Sequence, residues 1–413
     1  MRSAKFYNNV FAVTTSAVII TLISVYLISG KSFTPFPMYP AFSDLIIITS
    51  SVDCSRAGFD PYVDTHFDPW NRFYNYPKLW LTVFDFFGIT RKASNPVGIG
   101  MILLFYVSTL PLFKIKSWAQ LLCVSAFIFS SPILLLLERG NCDILLYLLI
   151  LFSTYYLRKI NFFSDSIKLH ISYLIILFAA MLKIYPIFIM PLLFFEKLSR
   201  KHLYLILLYS AVILTVYFAR TYDNLLFVSK NTPRATVYSF GKNVYLQHIF
   251  KGASLAVLAN GLLAAVVFGA FYIVDKYRPV LLEGLKPSFY IDKKNVLIFL
   301  AGGLTYMGTF FLGNNWDYRL VFLILTFPFL KDLYESMKNN LWRNAMLGVF
   351  LFGFYSGFLT NFEIVRKLHL YVVLFTMEQL SQWLIMLIIT IIVLLIYRDK
   401  LLYRDLQRAP VVN

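Results

Sequence analysis

The apolar residues of this chain come in blocks about as long as a bilayer is thick, and that feature limits the possible fold more than any other. Blocks recur at about 10–29, 96–113, 117–137, 142–157, 170–196, 202–219, 253–274, 295–312, 319–331, 343–360 and 379–397. Roughly 20 residues of helix, rising about 1.5 Å each, cross a hydrocarbon core of about 30 Å. Inside lipid a spanning segment must satisfy its own N–H and C=O groups, which a helix does. One large soluble core is the alternative, and it fails on charge. Only 14% of the residues are charged, against about a quarter in a soluble domain. The sequence predicts an all-α polytopic membrane protein. The block at 170–196 is too long for one upright helix and is interrupted by Lys183, Pro186 and Pro191. Taken as two short helices meeting at Lys183–Pro186, it brings the count to about twelve crossings. The first block follows Arg2 and Lys5 as a signal peptide's would. It is too long for one and lacks a small-residue cleavage site, so it reads as an uncleaved first helix.

A net charge of +17 would suit a nucleic-acid partner if it formed one basic face. Instead the bases fall in short runs between blocks: Lys114 and Lys116, Arg158 and Lys159, Arg200 and Lys201, Lys293 and Lys294, Arg398 and Lys400. That is the pattern of cytoplasmic anchors beside a lipid bilayer, and no nucleic acid is expected. With the N-terminus inside and each block crossing once, the basic excess lies on the inner side. The outer side then receives 30–95, Glu138 to Asn141, the Lys183 corner, 220–252, Gly313 to Arg319 and 361–378. The inner loops are short and basic while three outer ones are long, so a site belongs on the outer face. Cys54, Cys123 and Cys142 form no CxxC or His/Cys pattern, which gives no structural zinc site.

The first outer loop is the most informative stretch. From Asp44 to Arg56, apolar Leu45, Ile46, Ile48 and Val52 fall at near-helical spacing, which predicts a short amphipathic helix lying in the membrane interface. Ser43 is the expected N-cap. Asp44 then sits in the first turn, where a carboxylate is favourable for electrostatic reasons alone.

Further on stand Gly58-Phe59-Asp60-Pro61-Tyr62 and Tyr74-Asn75-Tyr76-Pro77. Gly140-Asn141 follows the third block, Lys183-Ile184-Tyr185-Pro186 lies mid-block, and Asp317-Tyr318-Arg319 opens a late crossing. This order resembles the GT-C type membrane glycosyltransferases, most of all the branch containing family 87, the polyprenyl-phosphate-mannose-dependent mannosyltransferases. The Lys183 element is also similar to the mannosyltransferases of GPI-anchor assembly. The sequence departs from the pattern at Lys78, where a second proline is common, and at Asn141, where glutamine is. The resemblance implies one transmembrane glycosyltransferase domain over 1–413, with extracytoplasmic loops at 30–95 and 220–252. It also implies inverting transfer of a single sugar, mannose or another hexose or pentose. The sugar would pass from a polyprenyl-phosphate donor to a lipid or glycan acceptor at the extracytoplasmic face.

That reaction makes checkable demands. An acceptor hydroxyl needs a base within hydrogen-bond reach, and Asp44 matches the family's first-loop aspartate. The departing phosphate needs cations. The candidates are Lys183, Arg319, Arg139, Arg220 and Lys242, with Arg234 beside them. His248, Glu138, Asn141, Tyr62, Tyr76 and Asp317 complete the set as donor- or acceptor-binding groups. Plainer readings exist for several. Arg319 can pair with Asp317 or snorkel, Glu138 and Arg139 can pair with each other, and His248 can simply be interfacial. Lys183 is harder to dismiss, because a charge at membrane depth costs at least about 2.5–3.5 kcal/mol. Asp60, Asp64 and Asp68 recur at four-residue spacing, but Pro61 and Pro69 break any helix that would align them as a metal site. No cofactor is expected, with a divalent metal left open. A lipid-linked glycan ligase or polymerase, and a transporter built on broken helices, are the alternatives. The expected location is a bacterial inner membrane, with the site on its extracytoplasmic side.

Overall fold

Helices form over the apolar blocks, and one of them, ending at Arg139, is closed by a left-handed glycine. The computed structural model describes residues 3–29, 41–196, 198–232, 238–286, 291–359, 363–368 and 370–398. Its helices are α1 (Ala4–Ser29), α2 (Ser43–Arg56), α3 (Lys78–Phe86), α4 (Ser94–Thr109), α5 (Trp118–Ile128), α6 (Ser131–Arg139), α7 (Asp143–Leu151) and α8 (Asp165–Leu182). They continue as α9 (Arg200–Asn231), α10 (Gly252–Glu283), α11 (Lys293–Leu312), α12 (Val321–Ile324), α13 (Phe327–Ser336), α14 (Asn340–Leu359), α15 (Glu363–Lys367) and α16 (Tyr371–Arg398). Among the described residues seven helices are long and apolar enough to cross a membrane: α1, the stretch Arg91–Leu112 around α4, α8, α9, α10, α11 and α16. The pair α5 and α6, bent by 44° across Phe129 and Ser130, makes an eighth if taken as one span. The chain is therefore an all-α protein with membrane-spanning helices. Cα packing groups it into two compact units, one of Met1–Leu149, Leu177–Ile184 and Leu208–Pro233, the other of Ile150–Ile176, Tyr185–Leu207 and Arg234–Asn413.

In the first unit, α2 corrects the expectation of an interfacial helix. Ser43 to Val52 and Cys54 are all buried. Two of its buried hydroxyls are satisfied by back-bonding within the helix, as Ser and Thr side chains can be. Thr49 Oγ1 donates back to Leu45 O and shares a 2.7 Å bond with Ser94 Oγ, and Ser51 Oγ donates to Ile47 O at 2.7 Å. Ser43 is not the cap either. It lies inside the helix, and its Oγ is buried with no hydrogen-bond partner among the described residues. The helix is launched from Phe42, whose φ of 62° is left-handed and costs about 1–3 kcal/mol for a side chain of this size.

The surroundings hold Phe42 in that state. Its N–H donates to Glu138 O at 2.7 Å, and its ring meets Tyr26 edge-on at 5.4 Å. Two glycines leave room for it. A Cβ at Gly98 would stand 2.6 Å from Phe42 Cδ1, and one at Gly140 3.2 Å from its Cα. Gly98→Ala tests this seat. Helix propensity alone would favour alanine by up to about 1 kcal/mol, whereas overpacking a filled site costs about 1–3 kcal/mol. Phe42 is fully buried and its ring has nowhere to retreat, so the expected result is a lower unfolding midpoint in detergent. An unchanged or raised midpoint would show that the ring has space.

The second unit is built on α11, most of which is buried. Its glycines permit close approach, as small residues do between membrane helices. Gly302 abuts the Phe322 carbonyl and Gly308 the Phe188 ring, while Gly353 of α14 packs on Ile385 of α16. Ser239–Phe240 pairs antiparallel with Asn315–Trp316 in a two-stranded ladder, Ser239 opposite Trp316.

Two boundaries differ from the hydropathy blocks. Residues 220–231, expected in the second outer loop, continue α9. At about 1.5 Å per residue this 32-residue helix is about 48 Å long, well over a hydrocarbon core of about 30 Å. Residues 371–378, expected in a loop, open α16. The break at Lys183 is present, since α8 ends at Leu182 and a 3-10 helix runs Tyr185–Phe194. Arg234 lies outside the described residues, as do parts of the 30–95, 220–252 and 361–378 loops.

Candidate functional site

The first unit gathers four charged side chains and one amide into a single buried chain of contacts. Each owes its place to a helix end. Asp44 stands in the first turn of α2, just after the Phe42 turn. Arg139 is the last residue of α6, which Gly140 closes at φ 55°, a left-handed stop that glycine adopts without strain. Asn141 then leads into α7, accepting the Asp143 N–H on Oδ1 at 3.0 Å, as an N-cap does. Lys183 is the first residue after α8.

Arg139 grips Asp44 with two donors, Nε to Oδ2 at 2.7 Å and a terminal nitrogen to Oδ1 at 2.5 Å. This two-pronged geometry is the strongest form of such a pair. Asn141 Nδ2 donates to Asp44 Oδ2 at 2.5 Å, and its Oδ1 accepts from Lys183 Nζ at 3.4 Å. Lys183 in turn pairs with Asp143 and lies 5.3 Å from the centre of the Tyr76 ring. Behind it Tyr62 donates its hydroxyl to Tyr76 O at 2.9 Å. Burial pushes the Tyr62 hydroxyl well above its usual pKa, so it stays a donor.

The side chains of the two ion pairs are 16% and 6% exposed for Arg139 and Asp44, and 12% and 0% for Lys183 and Asp143. Two cations thus meet two carboxylates. Apolar side chains would fill such a space at least as stably, since a buried ion pair barely recovers its desolvation. The Asn141 amide touches both pairs, so a charge that enters on one side alters the hydrogen bonds of the other.

Of the expected site residues, the structure brings together Asp44, Arg139, Asn141, Lys183, Tyr62 and Tyr76. Glu138 is buried beside them and offers its carbonyl to Phe42. Arg139, expected as a phosphate ligand, pairs with Asp44 in this structure. Arg220 is exposed on α9 and makes no ion pair among the described residues. The remaining candidates belong to the second unit and have local contacts. Lys242 Nζ donates to Asn260 Oδ1, and His248 meets the Phe375 ring at 5.1 Å. Arg319 donates to Asn315 and lies 5.4 Å from the Tyr185 ring centre. Asp317 is buried against Glu378. Among the described residues no three His, Cys, Asp or Glu side chains gather as a metal site.

Sequence reasoning missed Asp143 and Glu378. Asp143 had a signal, a carboxylate opening an apolar block where charge is expensive. Glu378 stands one residue before the apolar block 379–397 and reads there as a boundary. Comparison with protein-family models, curated proteins and solved structures finds no match to this chain.

Proposed function

We propose that this protein is a GT-C type glycosyltransferase that moves one sugar from a polyprenyl-phosphate donor to a lipid or glycan acceptor, with inversion. The observation that carries the reading is the meeting of Asp44, Arg139, Asn141 and Lys183, four candidate residues spread over 140 positions, in one buried network. In this reading the acceptor oxygen attacks the anomeric carbon as its proton passes to an Asp44 oxygen. The bond from that carbon to the phosphate oxygen breaks, and polyprenyl phosphate leaves with the electron pair. Arg139 and Lys183 meet its charge. Both cations hold carboxylates at rest, so the donor phosphate competes for them. Drawing Arg139 away releases Asp44 to act as base only when donor is present.

The rest of the reading follows the same lines. About twelve crossings would be completed by short broken helices such as Tyr185–Phe194 beside the long ones. The network would face the extracytoplasmic side of a bacterial inner membrane. Mass spectrometry of lipids and glycans from cells lacking the protein tests it. One lipid or glycan species should be short by a single hexose or pentose, and the wild-type gene should restore it. An unchanged profile, or loss of whole polymers in place of one sugar, would reject single-sugar transfer.

A further inference from the structure

The second unit holds a pair of buried acids that the proposed reaction does not use. Asp317, in the turn that follows Asn315–Trp316, and Glu378, two turns into α16, are 5% and 3% exposed. Their carboxyl groups lie side by side, close enough to share a hydrogen bond. α14 reaches the pair at Gly357, where a Cβ would stand 2.9 Å from Asp317 Oδ2 and 3.1 Å from Glu378 Oε1. The Asp317 N–H donates to Tyr238 O at 2.8 Å. Four segments of the unit therefore converge on two carboxyl groups.

Two carboxylates cannot both be ionised in contact and out of water, because repulsion and desolvation act in the same direction. A hydrogen bond between them requires a proton on one. Among the described residues no donor does that proton's work. Asp317 Oδ1 and the adjoining Gln379 Oε1 are buried acceptors with no partner among the described residues. The facing groups are otherwise engaged. Tyr306 of α11 donates its hydroxyl to Gln382 O at 3.0 Å, the Tyr238 ring lies against Gly357, and Arg319 donates to Asn315.

We propose that Asp317 and Glu378 form a proton-binding site. One proton, shared between the two carboxyls at neutral pH, clamps the Asp317 turn and α14 onto α16, and its loss releases them. Burial pushes the Asp317 carboxyl up to about 7, so the pair begins to give up protons near neutrality. The folded state then binds more protons than the unfolded chain between the ordinary carboxyl pKa of about 4 and about 7, so stability falls as pH rises through that window. This site does not depend on the sugar-transfer reading.

The test is the unfolding midpoint of the full chain in detergent from about pH 5 to about pH 8, with the infrared C=O stretch of protonated carboxyl groups followed in parallel. The wild type should lose stability across this range, and the protonated-carboxyl band should fade with it. Asp317→Asn, whose amide supplies its own N–H to Glu378, should flatten the profile and keep the low-pH midpoint at high pH. Equal pH slopes in the wild type and Asp317→Asn would overturn the site. So would rescue of the wild type at high pH by added calcium that requires both acids, because the ligand would then be a cation. Should Asp317→Asn fail to fold, Glu378→Gln and the wild-type infrared band decide. No protonated-carboxyl signal at about pH 6 means no shared proton.

Discussion

Asp44→Asn should lower sugar transfer by at least about 100-fold, since general-base assistance is worth about 10²–10⁴ in rate. The amide keeps the size of the side chain and one of its acceptor oxygens, but it cannot take a proton from the acceptor hydroxyl. It also removes the negative partner of Arg139, so a structural effect must be told apart from a chemical one. Binding of a polyprenyl phosphate makes that distinction. With Asp44 neutral, Arg139 no longer has a carboxylate to surrender, and binding should hold or tighten while transfer is lost. A decline in transfer of less than tenfold would remove Asp44 as the base. Parallel loss of binding and transfer would show instead that the Arg139 pair was needed to shape the site.

How far the sequence foretold this arrangement differs between its levels. Membrane helices were legible because hydrocarbon thickness imposes a length that no other core demands, as at α1 and α10. The break at Lys183 was legible because Pro186 and Pro191 remove donors. The seating of α2 was not. Its apolar spacing suits an interfacial helix, and only the tertiary environment of Phe42, Gly98 and Glu138 reveals that every face is covered. At the site, Asp44, Arg139, Asn141 and Lys183 were each proposed separately, but nothing along the chain shows that Arg139 faces Asp44, 95 residues away. Asp143 and Glu378 were missed for a related reason. An acid at the edge of an apolar block reads as a boundary until its partner is known.

Lys183 and Asp143 offer the sharpest separation of structure from function. Lys183→Ala leaves the fully buried Asp143 carboxylate without its cation. Removing one partner of a buried pair typically costs about 3–5 kcal/mol. The expected result is a large fall in unfolding midpoint in detergent and no transfer. Adding Asp143→Asn removes the orphaned charge, and Asn141 still caps α7 through the Asp143 backbone N–H. Most of the lost stability should therefore return, giving a coupling energy for the pair of up to about 3 kcal/mol. Transfer should not return, because the donor phosphate would still lack Lys183. A double variant that regains both stability and turnover would make Lys183 nothing more than the counter-ion of Asp143. A single Lys183→Ala variant that unfolds like the wild type would show that water reaches Asp143, and the dry network on which the proposed site rests would be wrong.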